Sequence, residues 1–113
     1  DEDFYYYPDV FVTCDPRDDN DLAMKHHPKL ICEVLSDLTQ KFDRIGKFDD
    51  YKLIDTFEEY VLISQDQRRV ECFCRQANGV WAETVFEESD RVYFTSINLH
   101  VAIADLYQGT SVR

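Results

Sequence analysis

The amino-acid sequence predicts one mixed α/β (α+β) domain over residues 1–113, on three observations. The length fits a single domain, and a hydrophobic content of 44% with 8 Phe and 7 Tyr is enough to fill a core. A nearly continuous apolar segment is followed by a segment of helical period, and the apolar period then changes to two. We therefore expect a mixed sheet with a helix after its second strand, a β-hairpin and a C-terminal helix.

The first part of the chain predicts two strands separated by a loop. Residues 9–14 are β-branched and aromatic, which favours a strand, and the turn-forming residues 15–21 follow it. Residues 30–35 are apolar apart from Glu33, a pattern typical of a strand that is covered on both faces. We therefore expect this second strand to lie at the centre of the sheet.

A helix is predicted to follow the second strand and to end near Lys52. Its N-terminus is indicated by three residues of types that commonly cap helices: Ser36, Asp37 and Thr39. Residues at helical spacing predict its apolar stripe: Phe42, Ile45 and Phe48.

The second part of the chain predicts strands. Residues 60–63, 70–76 and 80–86 have strand character. The last two segments are joined through Asn78-Gly79, the strongest sequence signal for a two-residue hairpin turn. The remaining elements are a short strand over 91–95 and a terminal helix over 100–107 that Gly109 stops.

Composition also bounds where the protein acts. No apolar run approaches the ~20 residues needed to span a bilayer, and the charged start at residues 1–3 is unlike a signal peptide. The cysteines lie among apolar neighbours without zinc-ligand spacing, so we expect reduced core residues and a cytoplasmic protein. They are Cys14, Cys32, Cys72 and Cys74.

The charge is strongly acidic, with 12 Lys and Arg against 23 Asp and Glu and a formal net charge of −11. An evenly spread charge of this size would repel nucleic acid. The excess is concentrated, however, because residues 1–21 carry eight acids and one base, whereas residues 22–65 and 66–113 each sum to −2. We therefore expect DNA binding that is weak, salt-sensitive and dependent on a metal ion that offsets the local charge.

Two acids interrupt predicted strands and are candidate site residues. Asp9 opens the first strand directly after Pro8, and Glu33 lies inside the second. An ionised carboxylate in such a strand is costly unless it is paired, protonated or bound to a metal. The alternative is structural, with Glu33 at the end of the sheet, where water or a neighbouring cation stabilises it.

The predicted helix offers further polar groups for this site. Asp43, Lys47 and Tyr51 recur every four residues and therefore share one face of the helix. A stabilising i,i+4 ion pair alone explains the spacing of Asp43 and Lys47. If Lys47 points toward the strands, two carboxylates and one lysine form a site for a hard cation, Mg²⁺ or Mn²⁺, beside a fixed positive charge.

At these residues the sequence becomes recognisable. The motifs are Tyr7-Pro8-Asp9-Val10, Cys32-Glu33-Val34-Leu35-Ser36, Asp43-Arg44 with Lys47-Phe48 and Tyr51, Glu59-Tyr60-Val61-Leu62, and residues 103–109. In this order and spacing, the chain resembles the Uma-two family of restriction endonuclease-like proteins. This family is common in cyanobacteria and belongs to the PD-(D/E)xK nuclease superfamily. The resemblance covers essentially the whole chain.

The resemblance implies roles for particular residues. Asp9 matches the Asp of the Pro-Asp motif, and Glu33 matches the second acid of the superfamily. The superfamily lysine is expected two residues after that acid, where this chain has Leu35. Lys47 on the following helix is the residue that matches instead. Lys41 is the second choice and lies on a different helical face.

The resemblance also implies an Mg²⁺- or Mn²⁺-dependent endonuclease that hydrolyses phosphodiester bonds in DNA. Asp9, Glu33 and the backbone carbonyl of Val34 are expected to hold the metal. Lys47 is expected to orient the attacking water or to stabilise negative charge on phosphorus. The supporting residues are expected to be Asp43 and Tyr51.

Two other functions remain open. Only seven residues precede Pro8, whereas family members are longer at that end, so we expect the chain to lack an N-terminal helix and strand and an upstream acid. The loss of these elements favours a catalytically decayed module that keeps the fold and forms a homodimer. The third interpretation is a β-rich ligand-binding domain with a pocket lined by Trp81, Phe73 and Tyr93.

A pair of adjacent arginines, Arg68-Arg69, lies outside the motifs of the resemblance. It is predicted at a turn between two strands, where two charges are ordinary. From that position it could also contact a phosphate backbone.

Overall fold

The computed structural model describes residues 10–12, 27–35 and 38–110, with side chains described for Val12 and for residues 27–35 and 45–110. These residues contain a five-stranded mixed sheet with the spatial order β1-β2-β3-β4-β5, in which β2 and β3 are parallel and the other neighbours antiparallel. The strands are β1 (Val10–Val12), β2 (Leu30–Leu35), β3 (Glu59–Ser64), β4 (Arg69–Arg75) and β5 (Trp81–Glu87).

Each face of this sheet is covered by a different layer. The helix α1 (Leu38–Tyr51) connects the parallel strands β2 and β3 and packs on one face, as a crossover between parallel strands requires. The other face is covered by the C-terminal elements. They are β6 (Arg91–Phe94), a 3-10 helix (Thr95–Ile97), β7 (Leu99–Ala102) and α2 (Ile103–Leu106), with β6 and β7 paired antiparallel. Among the described helices, none is long and apolar enough to cross a membrane.

The mixed α+β fold is confirmed, and β2 is an interior strand, between β1 and β3, that is covered on both faces as predicted. Ile31 and Leu35 are buried in the core beneath α1, whereas Leu30 and Cys32 are buried in the core beneath β6, β7 and α2. Alternating side chains of a strand point to opposite faces, so both faces of β2 are covered. This explains why its sequence is apolar at nearly every position.

The core beneath α1 is aromatic, and Phe48 is at its centre. The Phe48 ring stacks on Tyr60 at 4.7 Å and meets Trp81 edge to face at 5.0 Å. The predicted apolar stripe of α1 is wrong at Ile45, which is 48% exposed, whereas Tyr51 is buried at 3%. Residues three apart in a helix differ by about −60° around its axis. If the side of α1 that faces the sheet is centred between Phe48 and Tyr51, Ile45 therefore lies at the edge of that side. The predicted Phe42 lies outside the described side chains.

The hairpin between β4 and β5 has a three-residue turn, not the predicted two-residue turn. The Gly79 N–H donates to the Gln76 carbonyl at 2.9 Å, and the Gln76 N–H donates to the Val80 carbonyl at 2.8 Å. A two-residue type I′ turn needs positive φ at both central residues, but only Gly79 has it, at 85°. The Asn78 side chain instead accepts a hydrogen bond from the Val80 N–H at 3.0 Å.

The predicted terminal helix over 100–107 is wrong in its first part. Residues 99–102 form β7, and only residues 103–106 form the C-terminal helix. Asn98 has a left-handed conformation (φ 53°), which allows the chain to reverse direction after the 3-10 helix. The reversal pairs Val101 with Val92, which is fully buried. Gly109, with φ 85°, follows the helix as predicted.

Tyr107 ties the C-terminal layer to the sheet. Its hydroxyl lies 2.6 Å from the Ser64 carbonyl and 3.1 Å from the Arg69 carbonyl, to which it can donate, and it accepts from the Arg69 N–H at 3.3 Å. Burial raises the pKa of Tyr107 above its ordinary value, more than the Arg69 backbone lowers it. The side chain therefore holds the end of β3 beside the start of β4.

Tyr107→Phe should lower the free energy of unfolding by about 1–2 kcal/mol at pH 7, because backbone groups at both strand ends lose a partner. A raised pKa in the folded state means that the tyrosine contribution is complete below pH 10 and is lost as the pH rises through the folded pKa. Urea unfolding at pH 7 and at several values above pH 10 measures both effects. A difference between the two proteins that does not shrink at alkaline pH would contradict this role.

Candidate functional site

Glu33 lies in the middle of the sheet and is almost completely buried. It is the fourth residue of β2, paired with Leu62 of β3, and it is 1% exposed. It shares its face of β2 with Ile31 and Leu35, and therefore faces α1. The alternative in which water stabilises Glu33 at the end of the sheet is therefore wrong.

A side chain of α1 reaches this carboxylate. The Tyr51 hydroxyl donates to Glu33 Oε2 at 3.4 Å, a long hydrogen bond. Lys47 lies one helical turn earlier on α1 and is partly buried. Asp43 and Lys41 are also residues of α1, but their side chains lie outside those that the structure describes.

The other predicted metal ligands are described in part. Asp9 lies outside the described residues, although Val10, the next residue in the chain, is paired with Cys32, which precedes Glu33. Val34 is paired with Ile63 and is partly buried. Within the described ranges 10–12, 27–35 and 38–110, no group of three or more His, Cys, Asp or Glu residues is placed to hold a metal. The described part of the predicted site thus consists of Glu33, the Val34 backbone and the two α1 residues that accompany them.

A second buried acid, which the sequence analysis did not select, lies on the same face as Glu33. Leu62 is paired with Glu33 on one side and with Glu71 of β4 on the other, so the three residues form one row across the sheet. Glu71 is 6% exposed, and its Oε2 lies 3.5 Å from Nε of Arg69. Nη1 of Arg69 donates to Glu87 on β5 at 2.7 Å. A polar chain of three residues therefore extends from the buried row to the surface.

The register of the β4–β5 hairpin was the signal that could have identified the contacts among Glu71, Arg69 and Glu87. The three-residue turn pairs Arg75 with Trp81 and therefore Arg69 with Glu87. A two-residue turn at Asn78-Gly79 shifts the pairing by one residue, so that Arg69 would face Glu88 instead. The predicted turn type thus concealed the ion pair.

The opposite face of the sheet holds a third buried acid, Glu59, with a structural arrangement. Its Oε1 accepts hydrogen bonds from the Ser96 N–H at 2.9 Å and the Ser96 hydroxyl at 2.7 Å, and its Oε2 accepts one from the Cys74 thiol at 3.4 Å. These bonds attach the 3-10 helix to the sheet. The Glu59 carboxylate therefore accepts hydrogen bonds from neutral donors at both of its oxygens.

Two cysteines of this face have raised pKa values. Burial raises the pKa of the Cys72 thiol well above its usual range, and the Glu59 carboxylate adds to the effect. Burial also raises the pKa of Cys74, against a smaller lowering by Thr95. Both thiols therefore stay protonated at neutral pH in the metal-free protein. Cys72 and Cys74 are both present as thiols.

An open cavity among the described residues is separate from Glu33. It has a volume of about 420 Å³ and opens on the Glu59 face, between β4, β5 and the 3-10 helix, with Cys74 and Ser96 among its lining residues. The predicted pocket of Trp81, Phe73 and Tyr93 is wrong. Trp81 and Phe73 pack in the core beneath α1, whereas Tyr93 stacks on His100 in the other layer.

Comparison with known proteins assigns the family. The sequence profile of the Uma2 family, described as "Putative restriction endonuclease", matches residues 1–101. This chain belongs to the Uma2 family. Two curated relatives are uncharacterised proteins of Synechocystis sp. strain PCC 6803. One of them, slr1290, is 36% identical over 105 residues, which are 93% of this chain and 55% of the relative. The other, sll1609, is 39% identical over 82 residues, which are 71% of this chain and 46% of the relative.

A solved structure shares the fold of this Uma2 chain. It is a crystal structure described as a putative nuclease belonging to DUF820 from Anabaena variabilis. The match has a TM-score of 0.50 and 24% identity, and covers 71% of this chain and 44% of the other. The nuclease-like fold predicted from the sequence is therefore confirmed. The chain spans about half the length of the curated relatives it matches.

Proposed function

We propose that this Uma2 chain carries the catalytic core of a divalent-metal-dependent endonuclease that hydrolyses phosphodiester bonds in DNA. The observation that carries the proposal is the Glu33 carboxylate, which is 1% exposed on a central strand and accepts a hydrogen bond from Tyr51. A carboxylate in such a position is costly in free energy unless a cation or hydrogen bonds compensate it. The description of the family as restriction endonucleases supports a nuclease.

The oxygen donors of the site fit a hard cation. Mg²⁺ and Mn²⁺ prefer carboxylate and carbonyl oxygens, which Glu33 and the Val34 backbone supply. We propose Asp9 as the second carboxylate. It directly precedes Val10, and Val10 is paired across the sheet with Cys32, the residue before Glu33. When bound, the ion would polarise the scissile phosphate and lower the pKa of a water molecule.

The residues of α1 complete the proposed mechanism. The Tyr51 hydroxyl orients the Glu33 carboxylate through the hydrogen bond that it donates. Lys47 precedes Tyr51 by one turn on the same side of α1, so its ammonium group is proposed to orient the attacking water or to stabilise negative charge on phosphorus. Asp43 precedes Lys47 by four residues, at the spacing that favours an ion pair along a helix, and is proposed to hold it.

Two further properties belong to this proposal. Cys72 and Cys74 are present as thiols, which fits a reducing compartment, and we propose the cytoplasm. We also propose a homodimer formed by a second copy of the chain at β5. This strand lies at the edge of the described sheet. Val85 of β5 is 36% exposed, and Val80, which directly precedes the strand, is 60% exposed. An unpaired edge strand is a template for pairing with another chain.

Glu33→Gln is expected to abolish DNA cleavage and to weaken Mg²⁺ and Mn²⁺ binding at least tenfold, because the neutral amide replaces a charged ligand. Calorimetric titration with each ion and a plasmid-cleavage assay measure the two effects. Glu59→Gln is the matched control, since it replaces another fully buried acid on the opposite face. Both variants are compared with wild type by urea unfolding.

Two outcomes would count against the proposal. Cleavage by a folded Glu33→Gln protein at the wild-type rate contradicts the role of Glu33. A folded wild-type protein that neither binds the ions nor cleaves DNA is the decayed module, and the nuclease proposal is then wrong.

Lys47→Met is expected to reduce the cleavage rate at least a hundredfold while metal binding is retained, because the lysine acts on charge that develops during the reaction. Lys41→Met and Lys52→Met are compared under the same conditions. Lys52 is the control, since its ammonium group lies 4.3 Å from the centre of the Phe48 ring, at the end of α1. Loss of cleavage in Lys41→Met with normal cleavage in Lys47→Met would assign the role to Lys41.

The homodimer is checked by sedimentation velocity. Wild type is expected to sediment as a dimer at micromolar concentration, and Val85→Glu as a monomer, because it places additional negative charge on an acidic edge strand. Ala104→Glu, at an exposed position of α2, is the control. A monomeric wild type excludes this assembly.

A further inference from the structure

We propose that the guanidinium group of Arg69 binds a phosphate of the DNA backbone beside the Glu33 site, and that the Glu87 carboxylate occupies this position in the free protein. The proposal rests on the proposed nuclease function for the identity of the ligand. It adds a substrate contact and a competing acidic group, neither of which belongs to the metal site.

The side chain of Arg69 is held in place by a buried acid, Glu71. Its Nε lies 3.5 Å from Oε2 of Glu71, whose side chain is only 7% exposed. The guanidinium group is planar and rigid, so the contact of Nε with this acid limits the directions in which the terminal nitrogens can point. Nη1 donates to Glu87, and Nη2 makes no hydrogen bond within the described residues. The terminal nitrogens thus present the paired donors that recognise a carboxylate or a phosphate.

The Glu87 carboxylate, which accepts a hydrogen bond from Nη1 of Arg69, can be displaced. The Glu87 side chain is 60% exposed, whereas that of Arg69 is 30% exposed. An ion pair with such an exposed partner contributes little net stability, because water and salt screen it. A phosphate oxygen offers the same hydrogen-bond geometry as the carboxylate with at least equal negative charge. Substrate can therefore exchange with Glu87 while Glu71 keeps the arginine in place.

The position of Arg69 suits a phosphate near the proposed site of cleavage. Glu33, Leu62 and Glu71 form one row, so the Cα atoms of Glu33 and Glu71 are about 10 Å apart, or two strand spacings. Arg69 is two residues from Glu71 on the same face, about 7 Å further along β4. A DNA strand advances about 3.4 Å per nucleotide. Arg69 can thus reach a phosphate a few nucleotides from the one at Glu33.

The acidic charge of the chain favours such a contact. With a formal net charge of −11, local cations that face the substrate would strengthen DNA binding at the site. The neighbouring Arg68 also has an acidic partner, Glu88, at 3.4 Å. Both arginines of the pair are therefore covered by adjacent acids of the same neighbouring segment in the free protein.

The test measures binding of a fluorescein-labelled 20-base-pair DNA duplex by anisotropy, with Ca²⁺ present and salt varied from 50 to 200 mM. Arg69→Gln is expected to bind roughly five- to tenfold more weakly and to reduce the slope of log K against log salt by about one. Glu87→Gln is expected to bind several-fold more tightly, because the competing carboxylate is lost.

Matched controls separate this effect from net charge. Lys52→Gln removes a positive charge at the other end of β4, where Arg75 donates to the Lys52 carbonyl. Glu83→Gln removes a negative charge from β5 that forms no salt bridge with the described cations. If Arg69→Gln behaves as Lys52→Gln does, or Glu87→Gln as Glu83→Gln does, the proposal is wrong. Should Arg69→Gln fail to fold, the comparison of Glu87→Gln with Glu83→Gln decides alone.

Binding and cleavage together distinguish the two proposals. If folded Arg69→Gln cleaves DNA with an unchanged KM, the nuclease proposal stands and the proposed phosphate contact is wrong. If the wild-type protein binds DNA through Arg69 but does not cleave it with Mg²⁺ or Mn²⁺, the phosphate contact stands and the nuclease proposal is wrong. Absence of DNA binding in wild type overturns the contact.

Discussion

The structure depends on the burial of β2 and β3 between two layers. Because α1 covers one face and the C-terminal elements cover the other, side chains of these strands lose water whichever way they point. Apolar residues satisfy this constraint without partners, but an acid must be held. Glu59 meets the constraint with hydrogen bonds from Ser96 and Cys74, and Glu33 is held from the opposite layer by Tyr51.

These two acids illustrate how similar burial supports different roles. Glu59 accepts from groups that belong to the 3-10 helix and β4, and its bonds attach one layer to the sheet. Glu33 lies on the face of α1, which also contributes Tyr51 and Lys47. Membership in the Uma2 family, described as restriction endonucleases, gives the second arrangement its proposed chemistry. An acidic protein that acts on DNA must then supply cations locally, which is the role proposed for Arg69.

Much of the fold was predictable, and the errors have physical causes. The bounds of β2 were predicted correctly, because the local sequence pattern alone identifies an apolar run that is interrupted by one acid. Ile45 was misplaced because spacing within a helix does not determine which side faces the sheet. The hairpin turn was misassigned because Asn78 lacks the positive φ that a two-residue turn needs, and β7 was misassigned because Asn98 has one. The chain on either side decides both conformations. The register error then concealed the Arg69–Glu87 pair.

The sequence by itself determined the class of fold, the family, and Glu33 as an acid that needs an explanation, because local apolar patterns and ordered motifs suffice for these. The tertiary structure decided which groups meet. It placed Tyr51 against Glu33, aligned Glu71 with Glu33 across Leu62, and separated Glu59 onto the other face. Such contacts join residues distant in the chain, and strand order, register and helix rotation set them. None of these is encoded within one short segment.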